Sequence, residues 1–378
     1  MKNGEMKENR EIKEPLFHIV KRDALPWYCS WGIRILAMVA AFLVISAICF
    51  ALYGKDPLYV LQTFWDGNFG TENRIWNLTK EAALLLGVGL AVTPAFKMRF
   101  WNIGAEGQVL IGALVCSACL INIGDRLPTA LLLLVVFITS MLAGAVWGLI
   151  PAFFKANWNA NETLFTLMMN YIATSIVSCF CYIWSGGGSG KVGLINAKTK
   201  LGWLPSIGGH TETINILIIL ALTVILFIYL KFSKHGYEIS VVGESENTAR
   251  YIGINVKKVI LRTMALSGAL CGLVGVLLVC GVNHTITTET AGGRGFTAIM
   301  VSWLAKFNPL YMIVTSFLII FLEKGAKEIT IVCNQSNDSF PDLISGIAIF
   351  FIIGSEFFIN YRLRFRSGKK KETKEETK

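Results

Sequence analysis

Apolar residues in this chain do not alternate with polar ones. They run together in blocks that approach the roughly 20 residues a membrane-crossing helix needs. Ten blocks stand out, at 35–53, 82–97, 104–122, 128–150, 164–184, 214–230, 263–282, 296–306, 309–322 and 342–359. The blocks at 296–306 and 309–322 are short. They predict half-helices, re-entrant segments or helices shielded from lipid by their neighbours. The fold class that follows is all-α, a polytopic transmembrane helical bundle of about ten spans.

An even number of crossings puts both termini on one side, and the basic residues choose the side. With the termini inside, 25 Lys and Arg fall in inner segments and 10 in outer ones. Positive residues favour the cytoplasm, so the termini are expected there. The organisation is then a cytoplasmic arm (1–32), a transmembrane domain (33–360) and a charged cytoplasmic tail (361–378). Within the domain, 185–213 is a glycine-rich external loop and 231–262 a cytoplasmic loop. The first apolar run is long and lacks a small-residue cleavage pattern, which reads as an uncleaved first span. No sequence repeat is obvious. Yet five-span halves (1–185 and 214–360) would have opposite orientations. The polar glycine segments opening spans three (Asn102 to Gln108) and eight (Gly292 to Phe296) would then correspond. Interrupted segments at matching positions of inverted halves point to a midplane solute site.

Composition agrees. Of 378 residues, 54% are hydrophobic and 16% charged, where soluble domains carry about a quarter charged. The net charge of +10 is spread between spans, which is a topology signal and not a nucleic-acid surface. The nine cysteines are scattered. Cys116 and Cys119 form a CxxC, but mid-span, where a core role outweighs redox or metal chemistry. The four histidines share no ligand spacing, so neither metal nor cofactor is expected. Ser185 to Val192 superficially resembles a phosphate loop, but Ser185 stands where Gly is needed and Val192 where Ser or Thr is needed. No nucleotide-hydrolysing site or membrane-facing His, Cys or Ser constellation follows, so the chain does not read as an enzyme.

The chemistry-bearing stretch is Trp101-Asn102-Ile103-Gly104-Ala105-Glu106-Gly107-Gln108, which sets a carboxylate and two carboxamides between apolar runs. A charged side chain at a helix centre costs roughly 2.5–3.5 kcal/mol on insertion scales, and such residues mark pathways. Glu106 fits either a transport role or a structural one, satisfying backbone amides at the start of its span. Thr166 and Asn170 lie four apart on one helical face, after Asn161 or Thr163 as helix cap. Asn102, Glu106, Gln108, Thr166 and Asn170 are therefore the candidate pathway or pathway-supporting residues. Trp101 and Trp303 offer either ring stacking or plain packing. The GxxxG spacings Gly144–Gly148 and Gly268–Gly272 predict close internal helix packing. In the inner loop, Ser245 caps a short helix from Glu246 to about Ile252, ended by Gly253. That helix would lie at the cytoplasmic face and suits a docking partner.

Asn102 to Gln108 (NIGAEGQ), Asn161 to Tyr171 (NETLFTLMMNY) and Gly243 to Ile254 (GESENTARYIGI) resemble the permease subunits of bacterial ATP-binding-cassette importers. The nearest branch is the nucleoside and simple-sugar uptake permeases, related to the ribose and branched-chain amino acid systems. Arg262 to Leu270 and Gly295 to Ile299 fit as well, so the resemblance covers roughly 30–360. The length and the N-terminal arm look like the longer permease of guanosine-type systems. The resemblance implies a multi-pass protein of the bacterial cell membrane that carries a nucleoside or simple sugar. It implies as partners a cytoplasmic ABC ATPase, a second permease (the same or homologous) and an external substrate-binding protein or lipoprotein. It makes Gly243, Glu244, Ser245, Ala249, Arg250 and Gly253 the ATPase-coupling segment. The chain departs from the family where Trp101 replaces Phe, where Ser245-Glu246 replace Asn-Pro, and where Met300 to Lys306 is bulkier than the usual run. The alternative is a secondary transporter of a small polar solute driven by an ion gradient, for which Glu106 would be the coupling carboxylate.

Overall fold

The structure, a computed structural model, describes residues 17–22, 25–186, 192–207, 212–334 and 339–365. Residues 1–16, most of the phosphate-loop lookalike (187–191) and the tail from 366 onward lie outside the described residues. The elements in order are β1 (Phe17–Lys21), α1 (Trp27–Tyr53), α2 (Pro57–Phe69), α3 (Glu72–Lys97), α4 (Ala105–Ile123), α5 (Thr129–Trp158), α6 (Glu162–Trp184), α7 (Thr213–Phe232), α8 (Lys234–Glu244), α9 (Glu246–Tyr251), α10 (Val256–Leu278), α11 (Arg294–Leu304), α12 (Pro309–Val332), α13 (Ser339–Asn360) and β2 (Tyr361–Phe365). Among the described residues, nine helices are long and apolar enough to cross a membrane: α1, α3, α4, α5, α6, α7, α10, α12 and α13.

Nine of the ten apolar blocks correspond to these helices, and the remaining block, 296–306, is α11. With 11 residues, α11 rises only about 16 Å, half of a hydrocarbon core of about 30 Å. The block at 309–322 is the opposite case. It lies in a full helix of 24 residues, α12. The apolar count stops at Glu323, but the helix continues because its charges find partners. Lys327 Nζ lies 3.0 Å from Glu323 one turn away, and Glu328 lies 2.9 Å from Arg74. Three elements were not foreseen: α2, α8 and the strand pair. At the end of α10 the helix widens into a π turn at Val279–Asn283, closed by His284 at φ 50°.

The chain divides into two compact units, and the division does not fall in the segment 185–213. In the unit made of residues 1–61 and 329–378, α1 packs on α13. The rings of Tyr53 and Phe340 meet edge-on at 5.4 Å, and Arg34 Nε lies 3.0 Å from the Glu356 carboxylate. The first contact joins the end of α1 to the start of α13, and the second the start to the end, so the helices are antiparallel. Beyond them β1 pairs antiparallel with β2, from Phe17 opposite Phe365 to Lys21 opposite Tyr361. The two strands that flank α1 and α13 therefore lie side by side.

In the unit formed by residues 62–328, α10 is the central rod. From Leu270 onward all its residues are buried, and it packs against α5, α4 and α3. Glycine sets the distance. Gly144 and Gly148 of α5 face Gly268 and Gly272 of α10 backbone to backbone; a Cβ on Gly148 would lie 2.9 Å from the Met264 carbonyl oxygen. On the other side Gly275 meets α4, where a Cβ would lie 2.6 Å from Ala113 N and Val109 O. Small residues in both spans give helix–helix contact through dispersion where lipid supplies no hydrophobic drive.

Gly268→Val drives methyl groups into the backbone of Gly144, and overpacking of this kind costs about 1–3 kcal/mol. The detergent-solubilised variant is expected to melt several degrees lower by intrinsic fluorescence. Gly346→Ala is the control, since a Cβ there has nothing within 4 Å and should not lower the melting temperature.

Candidate functional site

The site begins where α3 stops. Arg99 takes φ 60°, and the Phe100 amide reaches back to the Ala95 carbonyl at 2.9 Å, so the chain turns sharply toward α4. Gly104 precedes α4 and has no side chain to cap it. Asn102 fixes the turn from within, with Oδ1 accepting the Gly104 amide at 3.1 Å. Its amide group also pairs with Gln108. Gln108 Nε2 donates to Asn102 Oδ1 at 3.2 Å, Asn102 Nδ2 lies 3.3 Å from Gln108 Oε1, and the same nitrogen donates to Ser267 of α10 at 3.1 Å. Asn102 and Gln108 are fully buried. Buried carboxamides keep their place only when paired, and these are paired with each other.

α6 holds the turn from another side. Asn161 caps it, accepting the Leu164 amide at 3.2 Å. Thr166 and Asn170, one turn apart and both buried, face the turn. Asn170 Oδ1 accepts the Gly107 amide and its Nδ2 donates to the Ile103 carbonyl, both at 2.9 Å. Thr166 Oγ1 accepts the Ile103 amide at 3.2 Å. Gly107 is obligatory, because a Cβ there would lie 2.9 Å from Asn170 Oδ1.

Glu106 sits in the first turn of α4 and reaches across to α11. One carboxylate oxygen accepts the Gly293 amide and the other the Gly295 amide, each at 2.7 Å. The first N–H groups of a helix have no partner within it, so Glu106 satisfies donors of α11 and not of its own helix. Gly292 and Gly293 take φ 61° and 72°, a conformation glycine adopts without strain. A Cβ on Gly295 would lie 2.7 Å from the Glu106 Cα, so α11 approaches α4 as closely as backbone allows. Arg294 pairs with Glu81 of α3 and donates to the Ala291 carbonyl at 3.1 Å, which fixes the same end of α11. The polar glycine segments opening spans three and eight thus meet directly.

All five candidate residues converge on one turn, and the polar side-chain atoms of each are engaged by it or by α11. The turn is also flanked by rings. Trp101 and Trp303 lie 5.3 Å apart, each partly exposed, with Phe96 5.7 Å from Trp101. Sequence reasoning missed Ser267, Glu81 and Arg294. Gly292-Gly293 beside a lone in-span carboxylate was the available signal for the α4–α11 contact; Ser267 offered none. Cys116 of the CxxC is buried, its Sγ 3.4 Å from that of Cys280, and Cys119 lies 3.6 Å from Thr139.

The loop 231–262 carries two helices, α8 and α9. Ser233 caps α8, accepting the Gly236 amide at 2.9 Å, and Ser245 caps α9, accepting the Thr248 amide at 3.2 Å. Gly253 ends the segment at φ 85°. Ala249 is buried, whereas Glu244 and Arg250 are exposed and Tyr251 is 92% exposed. Arg250 pairs with Glu246 at 3.3 Å. Gly243 lies against the end of α3, where a Cβ would be 3.3 Å from the Met98 Cα. Beside α9 opens a cleft of about 680 Å³, lined by Lys155, Trp158, Glu246, Arg250 and Lys257 among others. His235 of α8 bonds the Tyr229 hydroxyl through Nδ1, with Thr263 Oγ1 3.4 Å from Nε2. Burial, and then the charge of Arg262, holds its imidazole below the ordinary 6.5, against a weaker opposing pull from Glu238.

With this geometry in view, the comparisons with known proteins identify the class. A family model described as branched-chain amino acid transport system, permease component, matches residues 75–353, and the chain belongs to that family. It is an ABC transporter permease, a multi-pass membrane protein and a transport subunit without catalytic activity of its own. A glucose ABC transporter permease of Haloferax volcanii is 27% identical over 356 residues, covering 90% of this chain and 92% of that protein. A guanosine ABC transporter permease of Bacillus subtilis is 28% identical over 333 residues, covering 87% and 93%. A second guanosine permease of the same organism is 29% identical over 217 residues, covering 55% and 67%. No solved structure matches the chain.

Glu106→Ala removes both acceptors and orphans two buried amides, at roughly 1–3 kcal/mol each. Its melting temperature should fall clearly, with Glu106→Gln, which keeps one acceptor oxygen, in between. Thermal unfolding in detergent checks the order, and equal melting of all three contradicts it. His235 yields a pH effect. Its folded state binds fewer protons than the unfolded one, so stability is lost as pH falls through 6.5. Between about pH 7.5 and about pH 5.5 the melting temperature should drop more steeply for the native protein than for His235→Gln.

Proposed function

We propose that this permease forms half of the translocation pathway of an importer for a nucleoside or simple sugar in the plasma membrane, driven by a separate ATPase that docks on α9. The observation that carries the coupling is the position of α8 and α9. α9 is capped, short and exposed, while Gly243, just before it, rests on the backbone at the end of α3, four residues before Asn102. A push on α9 is therefore delivered to the turn that sets the starts of α4 and α11. Glu244, Ser245, Arg250 and Gly253 form and present this segment, and Ala249 roots it in the bundle. The distribution of Lys and Arg supports an inward-facing loop and cytoplasmic termini.

Asn102, Glu106, Gln108, Thr166 and Asn170 are assigned to supporting the pathway. Their polar atoms are consumed in fixing the turn, so they position its walls and do not bind solute themselves. The solute class rests on the relatives: one is named for glucose and another for guanosine, and both solutes are polyhydroxylated rings. An external substrate-binding protein or lipoprotein delivers the solute. A second permease completes the pathway, as the two matching guanosine permeases of one organism suggest. The gradient-driven alternative needs a carboxylate free to bind an ion, and both oxygens of Glu106 are occupied by α11.

The combined reversal Glu244→Lys and Arg250→Glu should leave the protein inserted but cut uptake by about tenfold or more, equivalent to about 1.4 kcal/mol of coupling. In the reconstituted transporter, ATP hydrolysis should no longer respond to solute. Normal coupled uptake in this variant, or uptake by the chain alone under an imposed ion gradient, would contradict the assignment.

A further inference from the structure

The membrane-crossing helices around the α10 rod expose different chemistry. From Leu131 through Val146 the exposed positions of α5 are Leu131, Leu134, Ile138, Leu142 and Val146; those of α7 from Leu217 to Ile228 are all Leu, Ile, Val or Ala. Such faces suit hydrocarbon. α6 differs. Its exposed residues include Tyr171, Ser175, Ser178 and Tyr182, spaced four, three and four apart, which is one continuous helical stripe. Leu164 and Met168 extend it toward the start of the helix. The opposite side of α6 carries Thr166, Asn170, Ala173, Val177 and Cys181, all buried.

Position excludes the simplest alternative. Tyrosine is common where a span meets the headgroups, but Tyr171 lies about 14 Å into α6 at 1.5 Å per residue and is 64% exposed. A hydroxyl in hydrocarbon without a partner is costly. Ser175 returns its hydroxyl to the Tyr171 carbonyl at 2.9 Å, whereas the hydroxyls of Tyr171, Ser178 and Tyr182 make no hydrogen bond among the described residues. The stripe carries no charge.

We infer that the hydroxyl stripe of α6, Tyr171, Ser175, Ser178 and Tyr182, is a solute-contacting wall of the pathway and takes an uncharged, polyhydroxylated ring. This rests on the permease reading above. Serine and tyrosine hydroxyls both donate and accept, as the hydroxyls of a sugar or ribose do. The two tyrosine rings offer flat faces for the apolar side of a sugar or for a base. The stripe runs about 16 Å from Tyr171 to Tyr182, longer than one sugar ring, so it provides successive contacts along the path. Asn170 and Thr166 fix the root of this helix to the turn beside α4, so movement of that turn carries the stripe with it.

The test places cysteine singly at 171, 175, 178 and 182, with Leu142→Cys and Val224→Cys as lipid-facing controls. All are made in a Cys179→Ala background, because Cys179 is exposed on the same helix. In the assembled transporter, a charged, water-soluble thiosulfonate should modify the stripe at least about tenfold faster than the controls, because hydrocarbon excludes water. Modification should abolish uptake, and guanosine, ribose or glucose at millimolar concentration should slow it. Modification no faster than at Leu142 overturns the wall. Fast modification that none of the three solutes slows overturns the ligand class and makes the stripe a subunit interface. If the stripe is modified and protected while uptake proceeds without any ATPase, the permease reading fails and the wall stands. Separately, Tyr171→Phe should raise KM several-fold with the response of ATP hydrolysis to saturating solute retained; unchanged KM counts against solute contact there.

Discussion

One carboxylate joins the starts of two helices. Glu106, in the first turn of α4, gives one oxygen to each of two amides at the start of α11. Both helices begin inside the bundle, where free N–H groups have no water to meet, and each N-terminus carries partial positive charge. A single acidic side chain answers both needs. It also explains the glycines around it: Gly292 and Gly293 for their left-handed backbone, and Gly295 because α4 lies where its side chain would be. The Arg294–Glu81 pair then ties the same end of α11 to α3.

The remaining polar groups complete the joint from the other side. Asn102 and Gln108 pair with each other and with Ser267 of α10, while Asn170 and Thr166 of α6 take up the backbone of Ile103 and Gly107. Five helices, α3, α4, α6, α10 and α11, thus meet at the seven-residue turn 98–104 and the first turn of α4. The glycine contacts that seat α5 against α10 hold the rod to which this joint is fixed. Such an arrangement suits a transport subunit. Its interior polar groups are spent on geometry, Gly243 of α8 rests on the end of α3, and the hydroxyl-bearing face of α6 is open. Gly243, near the end of α8, meets the backbone at the end of α3, which leads into the joint.

Much of this was legible in the order of residues. Apolar block length located every long helix, because a span must bury its backbone polar groups along its own length. Ser245 read correctly as a cap, and of the two candidates Asn161 and Thr163 the fold selects Asn161, since a side-chain oxygen before an apolar or charged first turn has few other uses. GxxxG spacing read correctly as close packing. What failed has physical causes. α12 looked short because its last turns carry charges, and their partners include Arg74, far away in the chain. Thr166 and Asn170 were identified as a polar stripe, yet periodicity cannot say which face of α6 is outward; they are on the inner face, and the exposed hydroxyls are Tyr171, Ser175, Ser178 and Tyr182. For Glu106 the sequence left two roles open, transport or satisfying amides at the start of its own span; the amides it accepts belong instead to the start of α11, 187 residues away in sequence, which only the fold reveals.

The central claim is that the Glu106 carboxylate closes the start of α11. Amide hydrogen exchange of the segment around 290–298 measures this directly, since exchange there requires Gly293 and Gly295 to lose their acceptors. In the native protein these amides should exchange slowly, and in Glu106→Ala they should exchange much faster while α13 keeps its native rate. Equal protection of Gly293 and Gly295 in the two proteins would contradict the account.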